Sequence, residues 1–283
     1  MIDFHTHPVM IKELIESDPD LFRNIREVFG FFFPPQPLDC FLLEMDEANI
    51  DKAILLPIDC TSAHGCKIVS NEQVAQLVEK QSRFIGFASV DPSLPTAVKD
   101  LERAVRSLGL RGVKLDPSLQ NFKLDNTNLL NPLFEICEEL HIPILIHCGM
   151  SLTPSGLAQN AQPILLEKSI QKFPSVNFIL AHFAWPWVQE ATMLAIKYPN
   201  VYLDTAILYS GTPQDALKQV LINQVGFNVI ERSLSHKILF GSNYPRIDMR
   251  RSVRGFLSLG LSNHSTQAIL HENASHILSL PRS

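Results

Sequence analysis

Residues 142–149, IPILIHCG, and residues 177–183, NFILAHF, decide the fold. Each stretch contains a short, almost continuous apolar run, as in parallel strands that are covered on both faces. In each, the first polar side chain after the run is a histidine, His147 or His182. Because the carboxyl ends of parallel strands lie at the same edge of a sheet, the pattern predicts that these two histidines lie near one another.

Six further runs of the same kind bring the number of predicted strands to eight. In chain order they are Met1–His5, Lys52–Pro57, Phe84–Val90, Gly112–Leu115, Ile142–His147, Asn177–His182, Val201–Asp204 and Lys237–Gly241. Amphipathic segments lie between them, such as a helix predicted over Asn131–Leu140 with Asn131 as its N-cap. Eight strands alternating with helices predict an α/β protein, a single (β/α)8 TIM barrel in one domain over residues 1–283. No GxGxxG motif follows the first strand to favour an open dinucleotide-binding sheet.

The longest interval between predicted strands is residues 8–49, an insertion after strand one. It contains the aromatic segment Phe29–Pro35 and then the helix-like CFLLEMDEANI, residues 40–50. An insertion after a barrel strand lies over the mouth of the barrel, so one interpretation is a lid or a wall of a substrate pocket. An aromatic cluster on the barrel exterior or at a homodimer interface is an equally good interpretation.

The composition excludes several classes of protein. Hydrophobic residues make up 46% and charged residues 19%, which favours a large buried core over a disordered chain. Lys and Arg total 24 against 29 Asp and Glu, and without a basic stripe we expect no nucleic-acid or membrane partner. Five scattered cysteines, an odd number, predict reduced thiols and a cytoplasmic protein. We expect no signal peptide and no membrane span.

The first strand carries a second pair of histidines. In residues 3–8, DFHTHP, His5 and His7 stand two apart, and side chains two apart on a strand point to the same face. Alone, such a pair is as often structural as functional. Together with His147 and His182 at the ends of two other strands, it predicts four histidines at the mouth of the barrel. Neutral imidazoles are good zinc ligands, so we expect a metal or catalytic site there.

Five motifs, on predicted strands one, four, five, six and eight, resemble those of the amidohydrolase superfamily. They are HTH (residues 5–7), GVKL (112–115), IHCG (146–149), AHF (181–183) and FGSNYP (240–245). Residues 186–206, PWVQEATMLAIKYPNVYLDTA, are similar to the amidohydrolase-related branch that includes aminocarboxymuconate-semialdehyde decarboxylase, so the resemblance spans essentially the whole chain.

This resemblance implies both a metal and a reaction. It implies that His5, His7 and His147 bind one divalent metal ion, zinc by ligand type, and that His182 is catalytic, polarising a substrate oxygen or orienting the attacking water. The implied activity is a metal-dependent hydrolase acting on an amide, ester or lactone of a small carboxylic acid. The alternative that it implies is a nonoxidative decarboxylase, a lyase, on the same metal site.

One position departs from the family pattern. The strand-eight motif of the family carries an aspartate, a metal ligand and general base, where this sequence has Asn243. An amide is a weak zinc ligand and cannot accept a proton from water near neutral pH. Three outcomes follow: the metal is kept and His182, Asp116 or Asp248 becomes the base; the metal is lost and a metal-independent lactone-type hydrolysis remains; or the barrel only binds a ligand.

Two cations are candidates for binding a small-molecule substrate. Lys114, in the fourth predicted strand, is interpreted either as a cation near a substrate carboxylate or as a structural ion pair, for instance with Asp204. Arg246 follows the strand-eight motif and could bind a carboxylate bidentately, although exposed loop arginines are commonly only solvated. Residues 60–66, CTSAHGC, match no standard zinc spacing, and we do not expect a second metal site there.

Overall fold

The computed structural model describes residues 1–207 and 211–280, which include a ring of parallel strands. The strand bounds are Ile2–Thr6, Lys52–Leu55, Phe84–Gly86 continued by Ala88–Ser89, Val113–Leu115, Ile144–Ile146, Phe178–Leu180, Val201–Asp204 and Ile238–Leu239. We call these the first to the eighth barrel strands. The predicted α/β class and the TIM barrel are confirmed.

Hydrogen bonds between neighbouring strands close the sheet into a barrel. The strands follow one another in sequence order, and every neighbouring pair is parallel. The ring closes between the first and the eighth strand, where the Phe4 amide donates to the Phe240 carbonyl (2.7 Å) and the Asn243 amide donates to the His5 carbonyl (2.9 Å). The carboxyl ends of all the strands therefore lie at one end of the barrel, which we call the mouth.

A β-bulge in the first strand decides which of its side chains point into the barrel. Between Asp3 and Thr6, three residue steps on the first strand oppose two on the second. One extra residue reverses the alternation of side chains beyond it. As a result, Phe4 and the next residue, His5, both face the interior: Phe4 packs in the apolar cluster inside the barrel, and His5 contacts Asp204 on the seventh strand.

Apolar side chains fill two layers of the molecule. One layer lies between the strands and the helices, and the other fills the barrel below the mouth, with Ile2, Ile54, Leu145, Ile179 and Leu239 among its members. Burying each of these aliphatic side chains contributes roughly 1.5–3 kcal/mol to folding. Since the barrel interior is packed in this way, a ligand can approach only from the mouth.

Helices surround the barrel and occupy its longer connections. The α-helices are Lys12–Ser17, Pro19–Glu27, Leu38–Glu47, Thr61–His64, Asn71–Lys80, Ala97–Arg106, Thr127–Glu139, Glu167–Lys172, Val188–Lys197, Pro213–Leu217, Phe227–Val229, Met249–Leu257, Asn263–Gln267 and Asn273–Ile277. Turns of 3-10 helix span Ala158–Ala161, Pro163–Leu166, Ala181–Ala184 and Ser235–Lys237, and π-helical segments span Lys218–Val225, Ile230–Leu234 and Ala268–Glu272. An antiparallel hairpin, Ile58–Cys60 with Cys66–Ile68, follows the second strand. Every helix in the described ranges is too short or too polar to cross a lipid bilayer.

The predicted start of the helix after the fourth strand is wrong. The helix spans Thr127–Glu139, and its N-cap is Asn126, whose side chain accepts from the Leu129 amide (3.3 Å). Pro132 therefore lies inside the helix, not at its first position. The earlier start is favoured because Asn126 satisfies an amide of the first turn and Leu130 adds a fully buried side chain.

The insertion after strand one forms helices and an aromatic turn beside the mouth. Its first two helices precede the turn and Leu38–Glu47 follows it. Within the turn, Phe29 and Phe31 are buried, whereas Phe32 and Phe33 are 67% and 65% exposed. The prediction that this segment mediates a homodimer remains a prediction.

Candidate metal centre and active site

The four predicted site histidines meet at the mouth as a row of rings. His5 Nε2 lies 3.2 Å from His7 Nε2. The ring centres of His5 and His182 are 4.8 Å apart, and His182 Nε2 lies 3.1 Å from His147 Nδ1. The order along the row is therefore His7, His5, His182 and His147, and all four side chains are buried.

In three of these rings, Nδ1 points at an oxygen that can only accept a hydrogen bond. The acceptors are Asp204 Oδ2 for His5 (2.7 Å), the Leu56 carbonyl for His7 (2.9 Å) and the Ala206 carbonyl for His182 (2.6 Å). Such an acceptor assigns the proton to Nδ1 and leaves a lone pair on Nε2. An outer oxygen that fixes the tautomer in this way is the usual companion of a metal-binding histidine.

His147 is oriented in the same way. Its Nδ1 faces two acceptors, His182 Nε2 at 3.1 Å and Asp116 Oδ2 at 3.7 Å, and therefore carries the proton. Its Nε2 is buried and has no hydrogen-bond partner among the described residues. An unsatisfied buried acceptor costs about 1–3 kcal/mol. The Nε2 atom of His147 therefore has the chemistry of a metal-ligand atom.

The spacing of His5 and His7 fits a shared divalent cation. Two lone pairs that face one another at 3.2 Å repel unless a cation or a proton lies between them. Two nitrogens bound to one zinc ion at about 2.0–2.1 Å, in tetrahedral geometry, are about 3.4 Å apart. Neutral imidazole nitrogens are also a donor type that suits Zn²⁺.

Distances group a second set of candidate ligands around His5. His5, His182 and Asp204 form a group in which one ligand-type atom from each lies within 4.8 Å of the others. Asp204 Oδ1 already accepts from two backbone amides and Oδ2 faces His5, so this carboxylate orients rings more readily than it binds an ion. His147 contacts the group through His182. The structure thus brings His5 and His7 together and places His147 one ring further along the row.

Burial keeps the whole row neutral. It lowers the pKa of His5, His7 and His182 well below the ordinary value, and neighbouring positive charge adds to the effect. The pKa of His147 is also lowered, first by burial, although Asp116 opposes the shift. Neutral imidazoles are the form that binds a metal ion, so the electrostatics of the mouth agree with the predicted chemistry.

Asn243 lies in the same pocket, as its position in the sequence predicts. It is 2% exposed and lines the pocket together with His7, His147 and His182. Its backbone adopts φ +61°, a left-handed conformation that asparagine tolerates better than most residues, and its amide donates to the His5 carbonyl (2.9 Å). An amide therefore faces the histidines where the family pattern has a carboxylate.

Of the two carboxylates considered as substitutes, one lies in the pocket. Asp116 is buried beside His147, although its Oδ1 accepts from the amides of Ser118 (3.1 Å) and Leu119 (3.0 Å). Asp248 instead caps the helix Met249–Leu257, where its Oδ1 accepts from the Arg251 amide (2.7 Å). Asp116 is therefore the carboxylate that shares the pocket with the histidines.

Lys114 is a buried cation in this pocket. Its side chain is 1% exposed, and burial lowers its pKa while Asp116 and Asp204 oppose the shift. Within the described part of the chain, its ammonium group forms neither a hydrogen bond nor a salt bridge. The predicted structural pairing with Asp204 is thus at most a longer-range attraction.

Arg246, in the loop after the eighth strand, also lines the pocket. Its guanidinium donates to the Gly30 carbonyl (3.3 Å) and to the Phe29 carbonyl, and it lies over the Phe29 ring at 4.4 Å. The Phe29 ring in turn lies 5.1 Å from that of His7. The interpretation of the insertion as a wall of the pocket therefore holds for Phe29.

Sequence reasoning assigned no role to Asp3. Its Oδ1 accepts from the His5 amide (3.1 Å), which lies in the bulge, and from the Ser242 amide (2.9 Å) of the strand-eight loop. Burial raises the pKa of this carboxyl to about 7. A polar residue inside an otherwise apolar strand, DF before HTH, was the available signal, but the acceptor role depends on contacts across the barrel.

The backbone geometry at Gly149 explains why the IHCG motif ends in glycine. Its φ is +95°, and a Cβ at this position would lie 2.1 Å from the Trp185 carbonyl oxygen. Only glycine permits this approach. The close contact joins the loop after His147 to the loop after His182, which adopts positive φ at three consecutive residues, 182–184.

The chain forms a parallel barrel with histidines and a buried lysine at its mouth, and comparison with known proteins shows its family. The chain belongs to the amidohydrolase family, whose model matches residues 2–280. Members of this family include decarboxylases and hydratases.

Three similar proteins illustrate the range of the family. The 2-amino-3-carboxymuconate-6-semialdehyde decarboxylase of Dictyostelium discoideum is 34% identical over 143 residues, 49% of this chain and 33% of that protein. The 2-keto-4-carboxy-3-hexenedioate hydratase of Sphingobium sp. is 24% identical over 195 residues, 59% of this chain and 52% of that protein. The matches thus span about half or less of each curated relative. A crystal structure of an uncharacterised TIM-barrel protein from Bordetella bronchiseptica is 25% identical, with a TM-score of 0.78 over 99% of this chain and 98% of that one.

Proposed function

We propose that this protein is a metal-dependent lyase that removes one carboxyl group, without oxidation, from a small unsaturated acid bearing a second carboxylate. The observation that carries the proposal is Lys114, a cation that is 1% exposed in the pocket of the histidines. A buried ammonium group needs a nearby anion to offset its loss of hydration. A substrate carboxylate in the pocket would supply that anion.

The relatives support this choice of substrate class. The decarboxylase and the hydratase similar to this chain are both named for substrates that carry a carboxy group. Since only part of each relative is matched, their activities guide the choice of compounds and do not define the reaction of this chain.

Each residue of the pocket has a separate role in the proposed reaction. A divalent ion held by His5, His7 and His147 would supply Lewis-acid polarisation of a substrate oxygen. Lys114 would hold the carboxylate that is retained. The bond from the substrate carbon to the other carboxyl group breaks, carbon dioxide leaves, the electron pair stays on the substrate carbon, and a proton from solvent takes the vacated position. His182, hydrogen-bonded to His147, would orient the reacting oxygen or a water molecule.

Asn243 favours a lyase over a hydrolase. Hydrolysis of an amide or ester usually requires a group that takes a proton from water, and an amide side chain cannot do so near neutral pH. Decarboxylation consumes a proton, so it tolerates the loss of a base at this position. The amide can instead donate a hydrogen bond to a substrate oxygen that gains negative charge.

A hydrolase acting on an amide, ester or lactone is the second candidate, and one observation favours it. His182 lines the histidine pocket, and because its Nδ1 points at the Ala206 carbonyl (2.6 Å), its Nε2 keeps a lone pair. A neutral imidazole in this position could accept the proton of an attacking water in place of the missing carboxylate.

A metal analysis combined with two product assays tests the proposal. Native protein and an Asn243→Asp variant are assayed with a panel of aromatic dicarboxylates, unsaturated aliphatic dicarboxylates and lactones, measuring carbon dioxide release and acid release separately. We expect about one metal ion per native chain, carbon dioxide as product, and about ten-fold slower decarboxylation in Asn243→Asp, because a donor is replaced by a negative charge. Acid release without carbon dioxide would establish the hydrolase instead. A metal gained only by the variant would indicate a disabled, ligand-binding barrel.

A further inference from the structure

Arg246 lines two cavities at the mouth, and the Phe29 ring, which packs against its guanidinium, lines the inner one. The inner cavity, about 40 Å³, is lined by Phe29 and Arg246 and by the polar residues His7, Lys114, His147, His182 and Asn243. The outer cavity, about 410 Å³, is lined by Phe31, Phe32 and Phe33 and again by Arg246. We call the Phe29 ring together with the Arg246 guanidinium the partition.

The inner cavity alone is too small for most ligands. A single water molecule needs about 10–15 Å³ measured in this way, so about 40 Å³ holds a few waters or a very small acid. Pockets that enclose a typical small-molecule ligand measure roughly 300–1,000 Å³. A substrate larger than a few atoms must therefore extend out of the inner cavity, and one route passes the partition into the outer cavity.

Several contacts hold the partition in place. Phe29 is 5% exposed and packs against the ring of His7 at 5.1 Å. On its other side lies the Arg246 guanidinium, 4.4 Å from the centre of the ring, a cation–π contact. The same guanidinium donates to the carbonyls of Phe29 and Gly30, which ties it to the backbone that carries the ring.

The backbone of Arg246 is also held in place by a hydrogen bond. Its backbone amide donates to the Asn243 carbonyl (2.9 Å), so the arginine begins within the strand-eight turn that faces the histidines. A planar guanidinium that stacks on one ring and reaches two carbonyls uses a geometry that lysine cannot reproduce. These contacts fix the position of the insertion at Phe29 and Gly30. They engage the guanidinium with the protein itself and not with a substrate.

We infer that Phe29 determines the size of acid that the site accepts, and that Arg246 acts through Phe29 as a positioning residue. The inference rests on the proposed function only in taking carboxylic acids as the ligands. It differs from the prediction that Arg246 binds the substrate carboxylate, and the two roles have different consequences for binding.

Binding of acids of graded size separates these roles without requiring turnover. The dissociation constants of acetate, benzoate and 4-phenylbenzoate are measured by calorimetry on the zinc-loaded protein and its variants. For Phe29→Ala we expect 4-phenylbenzoate to bind about ten-fold more tightly than to the native protein, while acetate changes less than about two-fold, because the two cavities then merge. An unchanged ratio between the two acids in Phe29→Ala would overturn the inference.

The arginine variants test the second half of the inference. If Arg246 holds the ring, Arg246→Ala and Arg246→Lys both shift the size ratio in the direction of Phe29→Ala, and neither adds much to it in a double variant. If Arg246 instead binds the carboxylate, Arg246→Ala weakens all three acids equally, also in the Phe29→Ala background, and the positioning role is wrong.

Two matched controls come from the same surfaces. Phe33→Ala removes an aromatic ring of the same turn that is 65% exposed, and Arg251→Ala removes an exposed arginine that lines the outer cavity. Neither should change the size ratio. The test also stays separate from the proposed function: size-dependent binding without any carbon dioxide release would contradict the lyase and leave the partition intact.

Discussion

At the scale of single residues, the directions of Nδ1 and Nε2 distinguish a candidate metal ligand, His147, from a residue that orients it, His182. His147 directs its Nδ1 toward acceptors and leaves Nε2 without a partner among the described residues, whereas His182 points Nδ1 at the Ala206 carbonyl and Nε2 at His147. On this pattern we expect His147 to be the third metal ligand and His182 to be the residue that orients it. The grouping of His5, His182 and Asp204 by distance would instead make His182 a ligand.

Removing each ring in turn decides between these assignments. We expect His147→Ala to lose metal affinity by at least about 100-fold, because a ligand is removed, and His182→Ala to lose about 10- to 100-fold, as for other outer partners. Zinc affinity is measured by competition with a chromogenic chelator, and His276→Ala, an exposed histidine far along the chain, is the control. A larger loss for His182→Ala than for His147→Ala would reverse the two roles.

At the scale of secondary structure, the bulge in the first strand sets the geometry of the site. The extra residue between Asp3 and Thr6 turns His5 into the barrel directly after Phe4. The amide freed at the bulge, that of His5, donates to Asp3 Oδ1, which also accepts from Ser242 in the strand-eight loop. One carboxyl oxygen thus holds together the two elements that carry His5 and Asn243.

Variants of Asp3 test this link. Asp3→Ala leaves two buried amides without an acceptor, and we expect the free energy of unfolding to fall by about 2–4 kcal/mol. Asp3→Asn keeps an oxygen in the same place and is expected to lose less than about 1 kcal/mol, which makes it the isosteric control. Both are measured by urea unfolding. Equal losses in the two variants would mean that the charge, rather than the acceptor, matters.

At the scale of the whole molecule, the buried histidine row makes the fold sensitive to acid. His5, His7, His147 and His182 have lowered pKa values in the folded protein, first because of burial. Once unfolded, each binds a proton below about pH 6.5, so the unfolded state binds more protons and stability falls as the pH falls. Burial raises the pKa of Asp3 and Asp204, and these carboxyls act in the opposite direction.

The net proton count gives the size of the effect. At about pH 5.5 the four unfolded histidines carry about 3.6 protons, and at most two carboxyl protons released on unfolding leave a net uptake of at least about 1.6. We therefore expect the metal-free protein to lose at least about 2 kcal/mol per pH unit between about pH 6 and 5. Urea unfolding with a chelator at three pH values measures the slope. His7→Gln should reduce it by about 1.4 kcal/mol per unit, and His276→Gln should not. A flat profile would contradict the assignment of neutral buried rings.

The fold was largely predictable from local pattern. The apolar runs in residues 142–149 and 177–183 predict buried parallel strands, because a strand that is covered on both faces is apolar at nearly every position. This continuous apolar character can be recognised from each run alone. The start of the helix Thr127–Glu139 was not predictable in this way, because the choice between Asn126 and Asn131 as its N-cap depends on which leucines the rest of the molecule buries.

The sequence by itself determined the identity of the polar groups at the mouth: His5, His7, His147 and His182, with Asn243 and Lys114 among them, follow apolar runs or lie within them. Tertiary structure decided how these groups face one another. The bulge that turns His5 inward, the acceptors that fix each imidazole proton, and the closure of Phe29 and Arg246 over His7 all join residues distant in the chain. Strand alternation and apolar runs are local properties, whereas these contacts exist only once the barrel has closed.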